Sequence, residues 1–334
     1  MNIVGEPHRK RQYLPDIIPS DTPFVVFLDI CDKCNFVCDF CPCNTSKDAM
    51  EIRHKTMPFE LFKKIVDDMT GFKRKIRVIN LYSYGEPLLN PYFCDMLLYL
   101  RNRNVCDEIR TTSNGSLLTK DICEKMVDNG LSMFRLSLYG FSKDEYKRTT
   151  HSNVDYDKLI SDITYLHAYN QKKRGNLKIS TKATSTFINT EETLLKLYND
   201  FADISDYYYV ENIDDVWPDF QLIGDYPEVS FAPYKFTKET EQKSLCSFLF
   251  TDMAIHSNGD VGVCHLDWKH STIYGSVVND STVDLWNGKA LRDLRVDFCR
   301  SETPPIEFCR SCKKVFSDNI DEEREKIIKK LTDN

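Results

Sequence analysis

The chain lacks long apolar runs: none reaches the roughly 18 residues that a membrane-spanning helix needs. The stretch from Met1 to Lys33 also lacks the apolar core of a secretory signal. There is no long basic run, and the net charge is −7. Non-specific binding to nucleic acid or acidic lipid depends on clustered Lys and Arg, so neither a duplex nor a membrane is an expected partner. Internal repeats and low-complexity tracts are missing too, which sets solenoids and disordered scaffolds aside. What the chain does have is cysteine, thirteen in 334 residues, within an otherwise ordinary composition of 41% apolar and 28% charged residues. That length supports one large domain or two, with a substantial core. Thiols in this number without an export signal point to a reducing cytoplasm and to metal ligation rather than to a disulfide scaffold.

From about residue 23 to 211, short apolar runs alternate with helical patterns. Strands are expected at Phe24–Ile30, Ile76–Tyr82, Glu108–Thr112, Leu131–Tyr139, Leu177–Thr184 and Tyr207–Val210. Between them, Met57, Leu61, Phe62, Ile65, Val66 and Met69 recur at helical spacing, and Asn90-Pro91 reads as a cap followed by the first helical position. Thr119 to Asn129 reads as a helix closed by Gly130. One further helix is expected from the fourth strand to about Tyr169, and another near residues 191–202. Six such repeats predict the α/β class: a parallel sheet with outer helices, a partial (β/α)6 TIM-like barrel whose functional loops follow the strand C-terminal ends. Residues 1–22 read as an N-terminal extension, 23–211 as the barrel and 212–240 as a bridging segment. Residues 241–320 read as a small cysteine-bearing domain and 321–334 as a closing Lys/Glu helix. Asn258-Gly259, between Met253–Ile255 and Val261–Val263, is a hairpin signal.

After the first strand comes Cys34-x3-Cys38-x2-Cys41, with the aromatic Phe40 before the third cysteine. Three thiolates on one tight loop suit three irons of a [4Fe–4S] cube and leave the fourth open to a ligand. Spacing alone leaves a zinc site open, since Cys31 and Cys34 form a C-x2-C pair and Cys43 lies nearby. The run, aromatic included, resembles the signature of the radical S-adenosylmethionine (radical SAM) superfamily. The resemblance implies that the open iron chelates the methionyl group of S-adenosylmethionine, whose cleavage gives a 5′-deoxyadenosyl radical that abstracts hydrogen. Gly85-Glu86-Pro87 resembles the family's Gly-Gly-Glu-Pro motif, with Tyr84 in place of the first glycine, and by that resemblance binds the cofactor's amino group. Thr111 to Gly115, with Ser113 and Asn114, resembles the polar loop beside the cofactor. Ser137 and Arg148 match the serine that contacts the cofactor and the arginine that pairs with its carboxylate, a geometry a guanidinium fork suits. Phe40 would lie near the adenine.

A second set is Cys246, Cys264, Cys309 and Cys312, with Gly259 five residues before Cys264. It resembles the SPASM domain in its shortened, one-cluster "twitch" form, with a spacing similar to that of the butirosin-pathway dehydrogenase. A zinc ribbon is the alternative, and Cys299 is an alternative fourth ligand. A second [4Fe–4S] cluster closed by four cysteines suits electron traffic. The resemblance therefore implies two clusters and a hydrogen abstraction from a hydroxyl-bearing carbon of a sugar, aminocyclitol or nucleotide-linked sugar. Oxidation to a ketone is the expected outcome, with Glu211, His265 or Asp267 as base or substrate contact. Redox-neutral dehydration, decarboxylation or epimerisation, and peptide maturation, are the alternatives. The absence of a long leader-binding segment before Cys34 counts against peptide maturation. A flavodoxin- or ferredoxin-like donor is the expected redox partner. Cys94, Cys106 and Cys123 read as buried apolar side chains, and Cys31 and Cys43 as packing or hydrogen-atom donors.

Overall fold

The computed structural model describes residues 5–6, 13–45, 55–213, 217–222, 226–232, 245–312 and 323–333. A one-turn helix, α1 (Leu14–Ile17), precedes β1 (Val25–Leu28), and α2 (Pro42–Thr45) ends the cysteine loop. The βα repeats then run α3 (Phe59–Met69), β2 (Ile76–Asn80), α4 (Phe93–Arg103), β3 (Cys106–Ser113), α5 (Lys120–Asp128), β4 (Met133–Leu138), α6 (Lys143–Thr150), α7 (Tyr156–Lys173), β5 (Lys178–Thr184), α8 (Glu191–Phe201) and β6 (Tyr207–Glu211). Each of the six strands pairs in parallel with the next in sequence, giving the expected partial barrel.

Alternation decides what each strand shows to each side. Val26, Leu28, Ile79, Ile109, Phe134, Leu136, Ile179 and Val210 are buried in the core beneath the helices. The intervening register positions, Asn80, Arg110, Thr112, Arg135, Ser137, Ser180, Lys182, Thr184 and Glu211, are polar and line up across the opposite face. That face forms the barrel lumen, which is therefore a charged and hydroxylated surface.

Two local expectations are corrected. Pro91 does not open α4, which starts at Phe93. Pro87–Leu89 form a single 3₁₀ turn, and the Asn90 amide instead donates to the carbonyls of Ile30 (2.8 Å) and Met57 (3.2 Å) while accepting from the Tyr92 N–H (3.0 Å). The single helix expected after β4 is two: His151 turns left-handed at φ 51°, and Asp155 caps the new start by accepting from the Lys158 N–H. Caps and one left-handed residue overrode a continuous helical pattern.

The C-terminal third adds α9 (Phe248–Thr251), β7 (Asp252–Ile255), β8 (Asp260–Gly262), β9 (Ile273–Ser276), α10 (Thr282–Asn287), α11 (Lys289–Arg300), α12 (Glu307–Arg310) and α13 (Arg324–Thr332). β7 and β8 form the expected hairpin, with Gly259 at φ 93° in its turn. β7 also pairs in parallel with β1, so one nine-stranded sheet runs β6-β5-β4-β3-β2-β1-β7-β8-β9. Residues 1–4, 7–12, 214–216, 223–225, 233–244, 313–322 and 334, which fall within the expected extension, bridge, cysteine domain and closing helix, lie outside the described residues. Among the described residues no helix is long and apolar enough to cross a membrane.

Candidate active site

The cysteine loop leaves the C-terminal end of β1 and is pinned from the side by the end of α6. Val37 and Asp39 donate their N–H groups to the carbonyls of Thr150 (3.0 Å) and Thr149 (3.2 Å), and Asp39 hydrogen-bonds His151 at 2.7 Å. Inside the loop, Cys41 N–H closes on the Cys38 carbonyl at 3.0 Å. Asn35 donates to Ser116 (2.8 Å) and accepts from the Asn114 amide (2.9 Å), joining this loop to the one after β3.

A cavity of about 500 Å³ opens at this end of the sheet. Cys34, Cys38 and Cys41 line it together with Phe40, Gly85, Glu86, Ser113, Asn114, Ser137, Glu211 and His265. Three of the residues singled out from the sequence are not among its walls. Arg148 is exposed on α6, Pro87 is buried in its 3₁₀ turn, and Asp267 is fully buried while accepting from the Thr272 N–H at 2.6 Å. Among the wall residues that the sequence reading did not single out as site residues are Arg135, Tyr139, Lys182 and Thr184. The signal for three of them was the period-two polar pattern of β4 and β5, which the apolar reading of those strands passed over.

Glu86 is 2% exposed. Its carboxylate accepts from Leu88 N–H (3.0 Å), the Ser113 hydroxyl (2.8 Å) and Asn114 N–H (2.8 Å). Burial raises its pKa to about 7 against these lowering contacts. Glu86 thus fastens the loop after β2 to the loop after β3. Deeper in the lumen the charges are paired: Lys182 with Glu211 at 2.7 Å, and Arg135 with Glu6 at 2.6 Å. His265 stacks on Phe27 with ring centres 3.9 Å apart, and its Nδ1 lies 3.7 Å from Asp252.

The residues fit an iron–sulfur cluster with S-adenosylmethionine. Burial pushes the Cys34 thiol up to about 12 and Cys38 well above its ordinary value, and neighbouring thiolates raise both further. Such a trio ionises together only around a cationic centre. At Gly85 an added Cβ would sit 2.3 Å from the Cys31 carbonyl oxygen, so the chain runs here at backbone contact.

Cys246, Cys264, Cys309 and Cys312 line a second, small, almost wholly apolar cavity. Burial again raises Cys264 and Cys309, and charge on neighbouring thiols adds to it. The four thiols surround a space, which suits a cluster. Cys299 is buried on α11 and does not line that space. Leu266 is a wall of both cavities. Cys43 lines the first cavity, whereas Cys31 does not.

Comparison with known proteins agrees. The radical SAM superfamily model matches residues 28–200, and that of the SPASM iron-sulfur cluster-binding domain matches residues 246–313. A probable GTP 3′,8-cyclase of Methanococcus maripaludis is 34% identical over 125 residues, covering 37% of this chain and 39% of that protein. The chain spans less than half the length of the curated relatives it matches. Among solved structures, SuiB of Streptococcus suis bound to S-adenosylmethionine superposes with a TM-score of 0.62 at 15% identity, over 88% of this chain and 72% of that one. BtrN, the butirosin radical SAM dehydrogenase, in complex with AdoMet and 2-DOIA, gives 0.54 at 14%, over 86% and 92%. With more than half of its length matched, the chain belongs to the radical SAM superfamily and carries a C-terminal SPASM domain, and its cofactors are S-adenosylmethionine and [4Fe–4S] clusters.

Proposed function

We propose that this enzyme oxidises a hydroxyl-bearing carbon of a sugar-type small molecule to a ketone, with the C-terminal cluster as electron acceptor. One observation carries the reading: the cavity holding Cys34, Cys38 and Cys41 and the cavity holding the four C-terminal cysteines share a wall at Leu266. When bound, the cofactors supply a 5′-deoxyadenosyl radical that takes the carbon-bound hydrogen, and a one-electron acceptor next door.

The chain's own residues do the rest. Cys34, Cys38 and Cys41 hold the first cluster, and Cys246, Cys264, Cys309 and Cys312 the second. Gly85, Ser113, Asn114, Ser137 and Phe40 frame the S-adenosylmethionine site, with Glu86 holding the two loops in place. Lys182, Thr184 and Glu211 offer a row of donors and acceptors suited to a polyhydroxylated substrate. His265, next to Cys264 and held against Phe27, takes the hydroxyl proton. Proton and electron then leave the substrate on the same side. Asp267 is assigned no catalytic part, because its carboxylate holds the Thr272 backbone. Residues 23–211 form the radical-generating part, which a flavodoxin- or ferredoxin-like donor reduces, and residues 241–320 form the part that accepts the substrate's electron.

The test is anaerobic incubation of the reconstituted enzyme with S-adenosylmethionine and a reductant against sugar-type substrates. The expected result is 5′-deoxyadenosine together with a product two hydrogens lighter. Loss of water or carbon dioxide, or an isomer of unchanged mass, overturns the oxidation. Turnover of a peptide alone overturns the substrate class.

A further inference from the structure

A second polar cavity, of about 390 Å³, lies at the other end of the sheet. Its wall includes Asp21, which precedes β1, and Lys73 and Arg74, which precede β2, so it faces the strand N-terminal ends, away from the cysteine loop. Lys73, Arg74, Arg292, Arg295 and Lys330 line it against the single acid Asp21. In a chain of net charge −7 that local excess is unusual. Asp21 is already shared between Lys73 (3.2 Å) and Arg74 (3.5 Å).

Arg295 is 5% exposed. Its Nε donates to the Leu249 carbonyl at 3.0 Å and its guanidinium lies 4.3 Å above the Trp286 ring. Its Nη2 is buried with no hydrogen-bond partner. Burial lowers the Arg295 pKa to about 10, so the group stays charged at neutral pH, and among the described residues no carboxylate is paired with it. A buried, unmet guanidinium donor destabilises the fold unless a ligand meets it. The second feature is α11, twelve residues long, whose N-cap is Gly288, itself a wall of the cavity. Gly288 brings no capping side chain to the first turn, and the positive end of the helix dipole there suits an anion.

We propose that this cavity binds a phosphate-class oxyanion, either free phosphate or diphosphate or the phosphoryl end of a nucleotide, at a site separate from the reaction cavity. Guanidinium forks match phosphate oxygens two at a time. Several cationic side chains around one cavity suit a dianion or a more highly charged group better than a carboxylate.

Isothermal titration of the cluster-loaded enzyme tests this with phosphate, pyrophosphate and ADP, each against sodium chloride of equal ionic strength. Saturable one-to-one binding is expected. Binding of phosphate or pyrophosphate assigns a free oxyanion, and binding of ADP alone assigns a nucleotide. Arg295→Gln is expected to weaken affinity about tenfold, the loss of one charge-assisted hydrogen bond. Arg292→Gln and Lys330→Gln, at exposed positions that do not threaten folding, are expected to weaken it severalfold while iron content stays the same. No saturable binding of any of the three, or binding that all three variants leave unmoved, overturns the proposal.

Discussion

Gly85 shows how little freedom single positions have. Its Cβ-to-be lies 2.3 Å from one backbone oxygen and 2.4 Å from another, Cys31 and Lys33 respectively. Gly85→Ala must therefore move the cysteine loop or the loop after β2. The expected outcome is a loss of S-adenosylmethionine affinity of at least about tenfold with the fold retained, measured by equilibrium binding to the cluster-loaded protein. The cysteines sort by position in the same way. Cys264→Ala is expected to remove about four of eight irons, the content of one cluster. Cys299→Ala, whose thiol is packed away from the four-cysteine cavity, is expected to keep them all at a stability cost of about 1 kcal/mol. Iron analysis after anaerobic purification separates the two. At this scale the cysteine loop was legible because its ligands sit within eight residues and need no tertiary context. Arg148 is of another kind: where a helical residue faces depends on the helix's rotation, and here it is exposed on α6. Arg135 and Lys182 carry the opposite lesson: a lone charge inside a strand marks the face that looks into the lumen.

Among elements, α6 acts as a clamp. Its last two carbonyls hold the cysteine loop, while Phe36 of that loop packs edge-on against Tyr139 and Tyr146. The sequence expectation of one long helix missed this, because an uninterrupted helix would have kept those carbonyls for itself. Glu6 is a second fastener. Its carboxylate grips Arg135 through both oxygens and accepts from the Ser180 hydroxyl at 2.8 Å. Burial pushes the Glu6 carboxyl up, but Arg135 and Ser180 outweigh it, and the net shift is downward. A depressed carboxyl contributes its stability above the ordinary carboxylate pKa and loses it as pH falls through the lowered value. Protection of the β4 and β5 amides, taken relative to the intrinsic exchange rate at each pH, is therefore expected to be high at pH 7 and to fall in acid. Glu6→Gln should abolish that dependence and lower stability at pH 7 by about 2 kcal/mol, as expected when one partner leaves a largely buried pair. An unchanged exchange profile in Glu6→Gln contradicts the assignment.

Across the whole molecule, the alternation of apolar runs with helical patterns made the six parallel strands legible, because both faces of such a sheet must be covered. The continuation into β7 was not legible. The hairpin signal at Asn258-Gly259 said that β7 and β8 pair with each other, and nothing local said that β7 also pairs with β1. Long-range pairing is a property of the packed core, where Met253 and Ile255 meet the β1 side chains. The chain cut after residue 244 is accordingly expected to expose the β1 edge and the apolar surface around Val26 and Leu28. It should then elute as aggregate in size exclusion. A monomer with a cooperative thermal transition contradicts a single sheet that needs both ends of the chain.

The β1–β7 seam also bears on how the protein comes into being. Val25 waits for Asp252, more than two hundred residues further along the chain. On a ribosome adding about 5–20 residues each second, that edge stays open for ten seconds or more before its partner emerges. β1 and its cysteine loop are thus made first and completed last. A nascent chain in that interval presents an unpaired strand beside three thiols, the form in which a chaperone or a cluster-delivering protein would meet it.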